Sequence, residues 1–376
     1  AGFTGLSVAL NLLKSGCSVA VLEAVEPGWG ASGRNNGQVI PTLTRPNPQD
    51  IIARHGEAGE RFVALLCDSA DSLFKLVRDE KINAEAEQTG WVQPVHTPGR
   101  MKIAQARVAQ WLRHGAPVEL LSQVQVREMT GAAMWNGGFW NKTGGHINPL
   151  ALARGLADSV INRGGQIYCH TIADRIRHEN DAWKVDTANG SVTAHSLMLA
   201  THAYTGEHTR SLEPRVAREV VPAVSWQLAT RPLSGGEQER IIPGRQAVSD
   251  THGDLHFMRY DARNRLVTGG ALVIRSRGEQ RIKRRIGQRL QRIFDTPNPI
   301  AIDYVWNGYL GMTTDFMPRF HQLGPNGYAW AGCNGRGVAL AVALGHQFAQ
   351  AMQGKSHVDL ALPFTQPKPI PAHRFV

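Results

Sequence analysis

The chain has 376 residues, of which 42% are hydrophobic and 19% are charged. This composition excludes a disordered chain, and the length suffices for two connected domains with large cores. The best apolar run, residues 338–344, is far shorter than the roughly 18 residues needed to cross a membrane, so we expect no membrane span. Four widely spaced cysteines without a CxxC pair indicate reduced thiols and a cytoplasmic protein.

The net charge of +10 raises the question of an anionic partner. Part of this charge lies in residues 281–292, where isoleucine and leucine recur at the spacing of an amphipathic helix with a basic outer face. We interpret this stretch as a solvated helix face, with RNA or an acidic membrane as the alternatives. Because no aromatic residue is interleaved with the basic ones, no nucleic-acid partner is expected.

The first six residues, AGFTGL, match the second half of the dinucleotide-binding glycine motif G-x-G-x-x-G. Gly2 and Gly5 occupy its last two glycine positions, where the backbone approaches a pyrophosphate and a helix packs closely on a sheet. A helical apolar stripe follows, and then a strand over residues 18–22 that ends in Glu23, a place that suits a ribose-binding acid. Because the first glycine and its strand are absent from the sequence, we expect an N-terminally trimmed chain.

The remaining elements are predicted from periodicity and from glycine and proline positions. Three prolines make residues 41–49 an irregular connector. The dipeptide Asn189-Gly190 predicts a hairpin between strands 182–187 and 191–200. The other predicted elements are helices near 50–80, 101–114, 149–162, 281–292 and 338–352, strands 166–170, 223–230, 255–259, 265–268 and 328–332, and an extended tail from 363.

This order of elements predicts an α/β plus α+β fold, in which a Rossmann-type dinucleotide-binding domain is interleaved with an antiparallel-sheet substrate domain. The discontinuous nucleotide-binding domain is assigned to residues 1–85, 145–220 and 305–362. The substrate domain is assigned to residues 86–144 and 221–304, and residues 363–376 form the tail.

Four segments, each modest alone, occur in an order that is specific. They are the opening motif with Glu23, the loop GWGASGRNNGQ at 28–38, the block GGHINPL at 144–150, and AGCNGRGV at 331–338 before the last helix. Together they resemble the D-amino acid oxidase (DAO) superfamily of FAD-dependent oxidoreductases, and within it the gamma-glutamylputrescine oxidase type. The resemblance spans nearly the whole chain and implies an oxidoreductase acting on CH–NH or CH–NH2 groups.

The resemblance implies that FAD is held by backbone and polar groups of these segments. The implied cofactor-binding residues are Gly2, Thr4, Gly5, Glu23, Ala31, Ser32, Arg34, Asn35, Gly37, Thr201, Gly335, Arg336, Gly337 and Val338. A helix N-terminus directed at the flavin supplies partial positive charge where negative charge builds up on the reduced ring, and Arg336 would add a full charge.

We predict hydride transfer from the amine-bearing carbon to flavin N5, giving an imine that hydrolyses to an aldehyde, with reoxidation by O2 to H2O2. Glycine-oxidase-like relatives carry an arginine where Leu310 stands, which favours a gamma-glutamylputrescine-like amine without a neighbouring carboxylate. Gly308 stands where sarcosine oxidases carry their flavin-linking cysteine, so we expect non-covalent FAD. The predicted catalytic set is Arg336, Tyr260 and Trp306, and further candidates for the cavity wall are Trp29, His256, Phe257 and Tyr309.

Three alternatives remain open from the sequence. One is a sarcosine- or glycine-type amino-acid oxidase, or a dehydrogenase that passes electrons to a carrier instead of O2. A second is a tRNA-modifying flavoenzyme of the same fold, which would give the positive charge a purpose. The third is a fragment that cannot hold FAD. We treat the fifteen histidines as scattered and predict no metal site.

Overall fold

The computed structural model describes residues 1–209, 212–253, 256–271 and 278–371. The helices are α1 (Phe3–Lys14), α2 (Ala31–Arg34), α3 (Pro48–Asp79), α4 (Arg100–Arg113), α5 (Gln123–Thr130), α6 (Pro149–Asn162), α7 (Pro214–Ala217), α8 (Gly235–Gln238), α9 (Gly278–Phe294) and α10 (Gly337–Met352). The strands are β1 (Ala20–Leu22), β2 (Gln38–Val39), β3 (Trp91–Pro94), β4 (Val118–Leu121), β5 (Gly138–Asn141), β6 (Gly145–His146), β7 (Gln166–Tyr168), β8 (Ala173–Glu179), β9 (Ala182–Thr187), β10 (Gly190–Ala194), β11 (Leu197–Leu199), β12 (Val221–Pro232), β13 (Ala247–Ser249), β14 (Phe257–Tyr260), β15 (Arg265–Gly270), β16 (Ile302–Met312), β17 (Arg319–Gly324) and β18 (Gly327–Ala331).

The nucleotide-binding half is built around α1 and α10, which pack directly against each other. At their crossing the Ser7 hydroxyl donates a hydrogen bond to the Val342 carbonyl at 2.9 Å. A Cβ atom on Gly345 would lie 2.1 Å from the Ser7 hydroxyl oxygen, so only glycine permits this approach. The N-terminal ends of both helices lie along one cavity.

Short parallel ladders provide the sheet of this half. β1 pairs in parallel with β7, and β11 pairs in parallel with β18, which pairs antiparallel with β17. Parallel strands connected through helices are typical of dinucleotide-binding folds. Among the described residues the two ladders are not hydrogen bonded to each other, and β1 and β11 both line the cavity.

An eight-stranded sheet, counted over the described ranges, forms the substrate half in the order β16-β12-β15-β14-β13-β3-β5-β4. Neighbouring strands are antiparallel except β13 and β3. Helix α9 packs its apolar side against this half, with Ile282, Ile286 and Leu290 fully buried. The predicted amphipathic helix and the predicted two-part fold class are therefore confirmed.

Several predicted boundaries differ from the structure. The strand predicted over 191–200 is two strands in separate sheets, because the chain leaves one ladder at Ala194 and enters the other at Leu197. β16 pairs with β12, so the substrate sheet continues past the predicted boundary at residue 304. The predicted starting residue Leu255 and the last part of the tail, 372–376, lie outside the described residues. No helix in the described part of the chain is long and apolar enough to cross a membrane.

Candidate active site

A cavity of about 1700 Å³ lies between the two halves of the molecule. It exceeds the roughly 300–1,000 Å³ typical of sites for drug-sized ligands, which suits an extended dinucleotide together with a substrate. The predicted cofactor-binding residues that line it are Gly2, Thr4, Gly5, Glu23, Ala31, Ser32, Arg34, Asn35, Thr201, Gly335, Gly337 and Val338. The sequence motifs, although distant along the chain, therefore meet at one surface.

The N-terminal end of α1 is shaped for close approach of a ligand. The Phe3 backbone N–H donates to Ser32 Oγ at 3.0 Å, and a Cβ on Gly2 would lie 2.7 Å from that oxygen. A Cβ on Gly5 would lie 3.3 Å from the Ala200 Cβ, so this glycine lets α1 pack on the end of β11. A helix N-terminus with small residues around it fits the FAD pyrophosphate, since backbone N–H groups and the helix dipole favour an anion.

Glu23 lies in the cavity wall directly after β1. Its carboxylate accepts the Val25 backbone N–H at 3.0 Å and lies beside Ala1, at the N-terminal end of α1. The position agrees with the predicted ribose contact, which remains a prediction.

Asn35 organises the loop after α2. Its side-chain amide donates to the Ala31 and Ser32 carbonyls at 3.0 and 2.8 Å, and its carbonyl accepts the Gly37 N–H at 2.8 Å. Gly37 itself does not line the cavity and adopts a φ of +81°, and a Cβ there would lie 2.1 Å from the Ile147 carbonyl oxygen. Asn35 and Gly37 thus hold the shape of the loop, and the predicted direct contacts of these residues with FAD remain predictions.

Arg34 and Trp306 connect this loop to the substrate sheet. Arg34 donates through Nε to the Trp29 carbonyl at 2.6 Å and through Nη1 to the Asn307 carbonyl at 3.3 Å. Its guanidinium stacks 4.7 Å from the Trp29 ring centre. Trp306 Nε1 donates to the Arg34 carbonyl at 2.8 Å, and its side chain does not line the cavity. Trp306 therefore positions the loop and does not reach the cavity.

The N-terminal end of α10 brings Gly335, Gly337 and Val338 to the cavity wall. Arg336 lies behind this wall, 5% exposed, with its guanidinium 4.5 Å from the Trp91 ring centre. Burial, together with the nearby positive charge of Arg107, lowers the pKa of Arg336. The structure thus places its charge near the helix end and behind the cavity wall, and its role toward the flavin remains a prediction.

His202 holds the turn before α10. Its Nε2 accepts the Cys333 backbone N–H at 2.9 Å, and its ring lies 4.7 Å from that of Trp330. Burial lowers the pKa of His202 to about 4, so the ring is neutral and can accept this hydrogen bond. Thr201, just before it, contacts the Thr205 hydroxyl at 2.6 Å. A single histidine after a strand gave no sequence signal for this role.

Strands β12 and β16 form the substrate side of the cavity. Ala223 pairs with Leu310 and Ser225 pairs with Gly308, and all four residues line the cavity. The Tyr204 hydroxyl accepts the Tyr309 backbone N–H at 3.2 Å, and the two rings lie 5.3 Å apart. Of the other candidate wall residues, Trp29, Phe257 and Tyr309 line the cavity.

Tyr260 lies away from the cavity, in the core of the substrate half. Its side chain is 1% exposed, and its hydroxyl donates to the Ile241 carbonyl at 2.7 Å. Burial raises the pKa of this hydroxyl beyond its ordinary range. The predicted strand ended at residue 259, whereas β14 includes Tyr260 and directs it into the core, so we assign it packing and not catalysis. His256 also lies outside the cavity wall.

Asp250, His252 and His256 form a cluster where β13 ends and β14 begins. The two histidines are spaced H-x-x-x-H, so the histidines are not all scattered as predicted. Their nitrogens and the Asp250 carboxylate lie within 4.8 Å of one another. The spacing of a metal-ligand pair was therefore present in the sequence.

Comparisons with known proteins agree with this geometry. The family described as FAD dependent oxidoreductase (DAO) matches residues 1–351. Gamma-glutamylputrescine oxidoreductase of Escherichia coli (strain K12) is 31% identical over 94% of this chain and 82% of its own length. The probable oxidoreductase OrdL of Haemophilus influenzae is 28% identical over 94% of this chain and 81% of its own. Glycine oxidase from Geobacillus kaustophilus has a similar fold, with a TM-score of 0.80 at 19% identity over 98% of this chain and 97% of that one.

Proposed function

Because the chain belongs to the DAO family of FAD-dependent oxidoreductases, we propose that it oxidises an amine whose reacting carbon bears no carboxylate. Its cofactor is FAD, and it is an oxidoreductase that acts on CH–NH or CH–NH2 groups. When bound, FAD accepts the hydride that leaves the amine-bearing carbon. The proposed substrate is a gamma-glutamylputrescine-like amine, the proposed product an imine that water converts to an aldehyde, and the proposed electron acceptor O2.

The observation that carries this proposal is that the described residues offer no free arginine or lysine on the substrate side of the cavity wall. Arg34 is the only arginine or lysine in the cavity wall over the described ranges, and its guanidinium is engaged by Trp29 and Asn307. Leu310 lies in the wall, and the resemblance to glycine-oxidase-like relatives places a carboxylate-binding arginine at this position. Because a buried carboxylate requires a paired cation, this surface disfavours an α-amino acid.

The cavity residues favour the reactive form of an amine. Hydride departure is assisted by the nitrogen lone pair, which an ammonium group lacks. Apolar groups around the substrate, such as Leu310 and Met312, disfavour the charged form, so binding lowers the pKa of the amine. The Tyr204 hydroxyl, held by the Tyr309 N–H, is the polar group that we assign to orienting the substrate.

Non-covalent attachment of FAD is also part of the proposal. Cys333 lines the cavity, and burial raises the pKa of its thiol, which keeps it in the unreactive protonated state. Gly308 offers no side chain for a covalent link. Acid precipitation of the purified yellow protein is expected to release the colour into the supernatant.

The test is an anaerobic flavin spectrum recorded while an amine is added. Gamma-glutamylputrescine or putrescine is expected to bleach the flavin band, and sarcosine and glycine are not. Admission of O2 should restore the band with formation of H2O2. Bleaching by sarcosine or glycine alone would contradict the proposal, and slow reoxidation without peroxide would replace the oxidase by a dehydrogenase.

A substitution of Leu310 makes the test more specific. Leu310→Arg should gain bleaching by glycine or sarcosine and lose it with the diamine, because the new cation pairs with a carboxylate and repels an amine. Leu310→Met is the matched control, since it keeps the size and the apolar character of the side chain. Equal substrate preference in both variants would remove Leu310 as the determinant.

A further inference from the structure

The cluster of Asp250, His252 and His256 lies outside the residues that the proposed oxidation uses. The Asp250 side chain is 0% exposed, and its Oδ2 lies 2.6 Å from His252 Nδ1 and 3.2 Å from His256 Nδ1. The His252 and His256 rings are stacked, with centres 4.1 Å apart. Two imidazoles thus face one buried carboxylate oxygen.

Further groups orient this carboxylate and extend the stack. Trp135 Nε1 donates to Asp250 Oδ2 at 3.1 Å, and the His252 backbone N–H donates to Oδ1 at 2.9 Å. The His96 ring stacks on His252 at 4.0 Å, and its Nδ1 lies 2.8 Å from the Thr251 hydroxyl. Hydrogen bonds that fix ligand side chains in this way are characteristic of metal sites, where the outer groups set ring orientation.

The ligand set of the cluster points to a cation. Two imidazole nitrogens and a carboxylate oxygen are the ligand types that zinc and neighbouring transition metals prefer, at about 2.0–2.2 Å from the ion. The candidate ligand atoms of the three residues lie within 4.8 Å of one another, close enough to share one ion.

We propose that Asp250, His252 and His256 bind one divalent transition-metal ion of the zinc class, with water as the fourth ligand. The ion would join two strands, because Asp250 follows β13 and His256 precedes β14. These strands are antiparallel, and the Asp250 N–H donates to the His256 carbonyl at 2.9 Å. Phe257, next to His256, lines the cavity, so the site braces the substrate side without touching the reaction.

The experiment is calorimetric titration of the FAD-bound protein with Zn²⁺ after treatment with a chelator and its removal. One Zn²⁺ per chain is expected. Loss of an outer partner of a metal ligand weakens binding about 10–100-fold, so loss of a ligand in His252→Asn or His256→Asn should weaken it by more than about 100-fold. His114→Asn, at an exposed histidine elsewhere, is the matched control and should bind like the parent protein.

Several outcomes would overturn the site. These are no stoichiometric binding by the parent protein, equal affinity in the two ligand variants, or equal loss in the His114 control. Flavin absorbance and the melting temperature in chelator show whether each variant is folded. A second measurement needs no variant, because Zn²⁺ should raise the melting temperature of the parent protein and Mg²⁺ should not. An identical response to both ions would contradict the proposal.

Discussion

The two helix N-termini at the cavity differ in how they are supported, although α1 and α10 pack side by side. At α1 the support is a neutral hydroxyl, since Ser32 accepts the Phe3 N–H at 3.0 Å. At α10 the N-cap residue is Arg336, whose buried guanidinium stacks on Trp91 with Arg107 nearby. One end presents backbone groups alone, and the other has a full positive charge behind them.

This difference corresponds to what each end has to bind. The pyrophosphate of FAD carries the same charge before and after the reaction, so backbone N–H groups and a helix dipole are sufficient. The flavin ring gains negative charge on reduction, and a fixed cation in a buried place stabilises that charge more strongly than it stabilises the oxidised ring. We therefore expect the α1 end to govern affinity and the α10 end to govern the reduction potential.

The largest expected effect comes from separating the two helices. Gly345→Ala places a methyl group 2.1 Å from the Ser7 hydroxyl oxygen and 2.8 Å from the Ser7 backbone carbon, so α1 and α10 must move apart. Overpacking of this kind costs about 3 kcal/mol of unfolding free energy. We expect a lower melting temperature and loss of FAD from both ends at once, measured by denaturation and by the flavin content of the purified protein.

Gly287→Ala is the matched control for that variant. Its Cβ would lie 3.6 Å from the Ile300 carbonyl oxygen, an ordinary contact, within the long helix α9. It should retain full flavin content. If Gly345→Ala binds FAD as the parent protein does, FAD binding at the two helix ends does not depend on the crossing of α1 and α10. That result would contradict the prediction.

The second expected effect is a loss of folding stability at low pH, and it involves only the α10 end. The pKa of His202 is about 4, below the ordinary value of 6.5, so the unfolded chain binds more protons between pH 6.5 and 4. Stability is therefore complete above pH 6.5 and falls as the pH decreases to 4, by up to about 3 kcal/mol from this group. His202→Gln keeps an acceptor for the Cys333 N–H and should remove this part of the pH dependence.

The measurement is the urea midpoint at pH 5 and at pH 7. The parent protein should lose more stability between the two than His202→Gln does, and His114→Gln, at an exposed position, should behave as the parent. An unchanged pH slope in His202→Gln would show that this ring is not held neutral by burial. The α1 end, supported by the Ser32 hydroxyl, should show no comparable response.

The sequence predicted the nucleotide-binding end well, because its signals are local. Gly2, Gly5 and Glu23 lie within the first 23 residues, in one helix–strand motif, and helices such as α6 and α10 follow from apolar periodicity with clear ends. The direction in which a side chain points could not be predicted from such local signals. The fingerprint around Arg336 indicated a helix N-terminus, but whether the guanidinium faces the cavity or Trp91 depends on a strand more than two hundred residues earlier.

The substrate side could be predicted only in outline, because it is made by pairing across the chain. The register that joins Ala223 to Leu310 depends on the whole β12–β16 ladder. The predicted strand 255–259 stopped one residue before Tyr260, and the face that Tyr260 occupies is decided by the packing of α9 and α5 on that sheet. The break between β10 and β11 had no strong turn residue to mark it, since His195 and Ser196 occupy it.

The smallest expected effects separate the two ends from each other. Ser32→Ala removes the acceptor of the Phe3 N–H, which is worth about 1 kcal/mol, so the Kd for FAD should rise about fivefold with an unchanged reduction potential. Arg336→Met should lower the potential by about 30 mV, equivalent to about 1.4 kcal/mol for two electrons, with little change in Kd. The Kd is measured by FAD titration and the reduction potential by reductive titration against a dye, on the same preparations.

Arg107→Met and Ser15→Ala are the controls for this pair. Arg107 donates to the Leu43 and Thr44 carbonyls, and unlike Arg336 it is not the N-cap residue of α10. Its loss should therefore lower the reduction potential less than the loss of Arg336. Ser15 is exposed at the other end of α1, and its loss should alter neither quantity. If Ser32→Ala shifts the potential and Arg336→Met shifts only the Kd, the assignment of the two ends is reversed. If both variants change both quantities equally, the two ends act as one site, and the buried charge at α10 has no separate role.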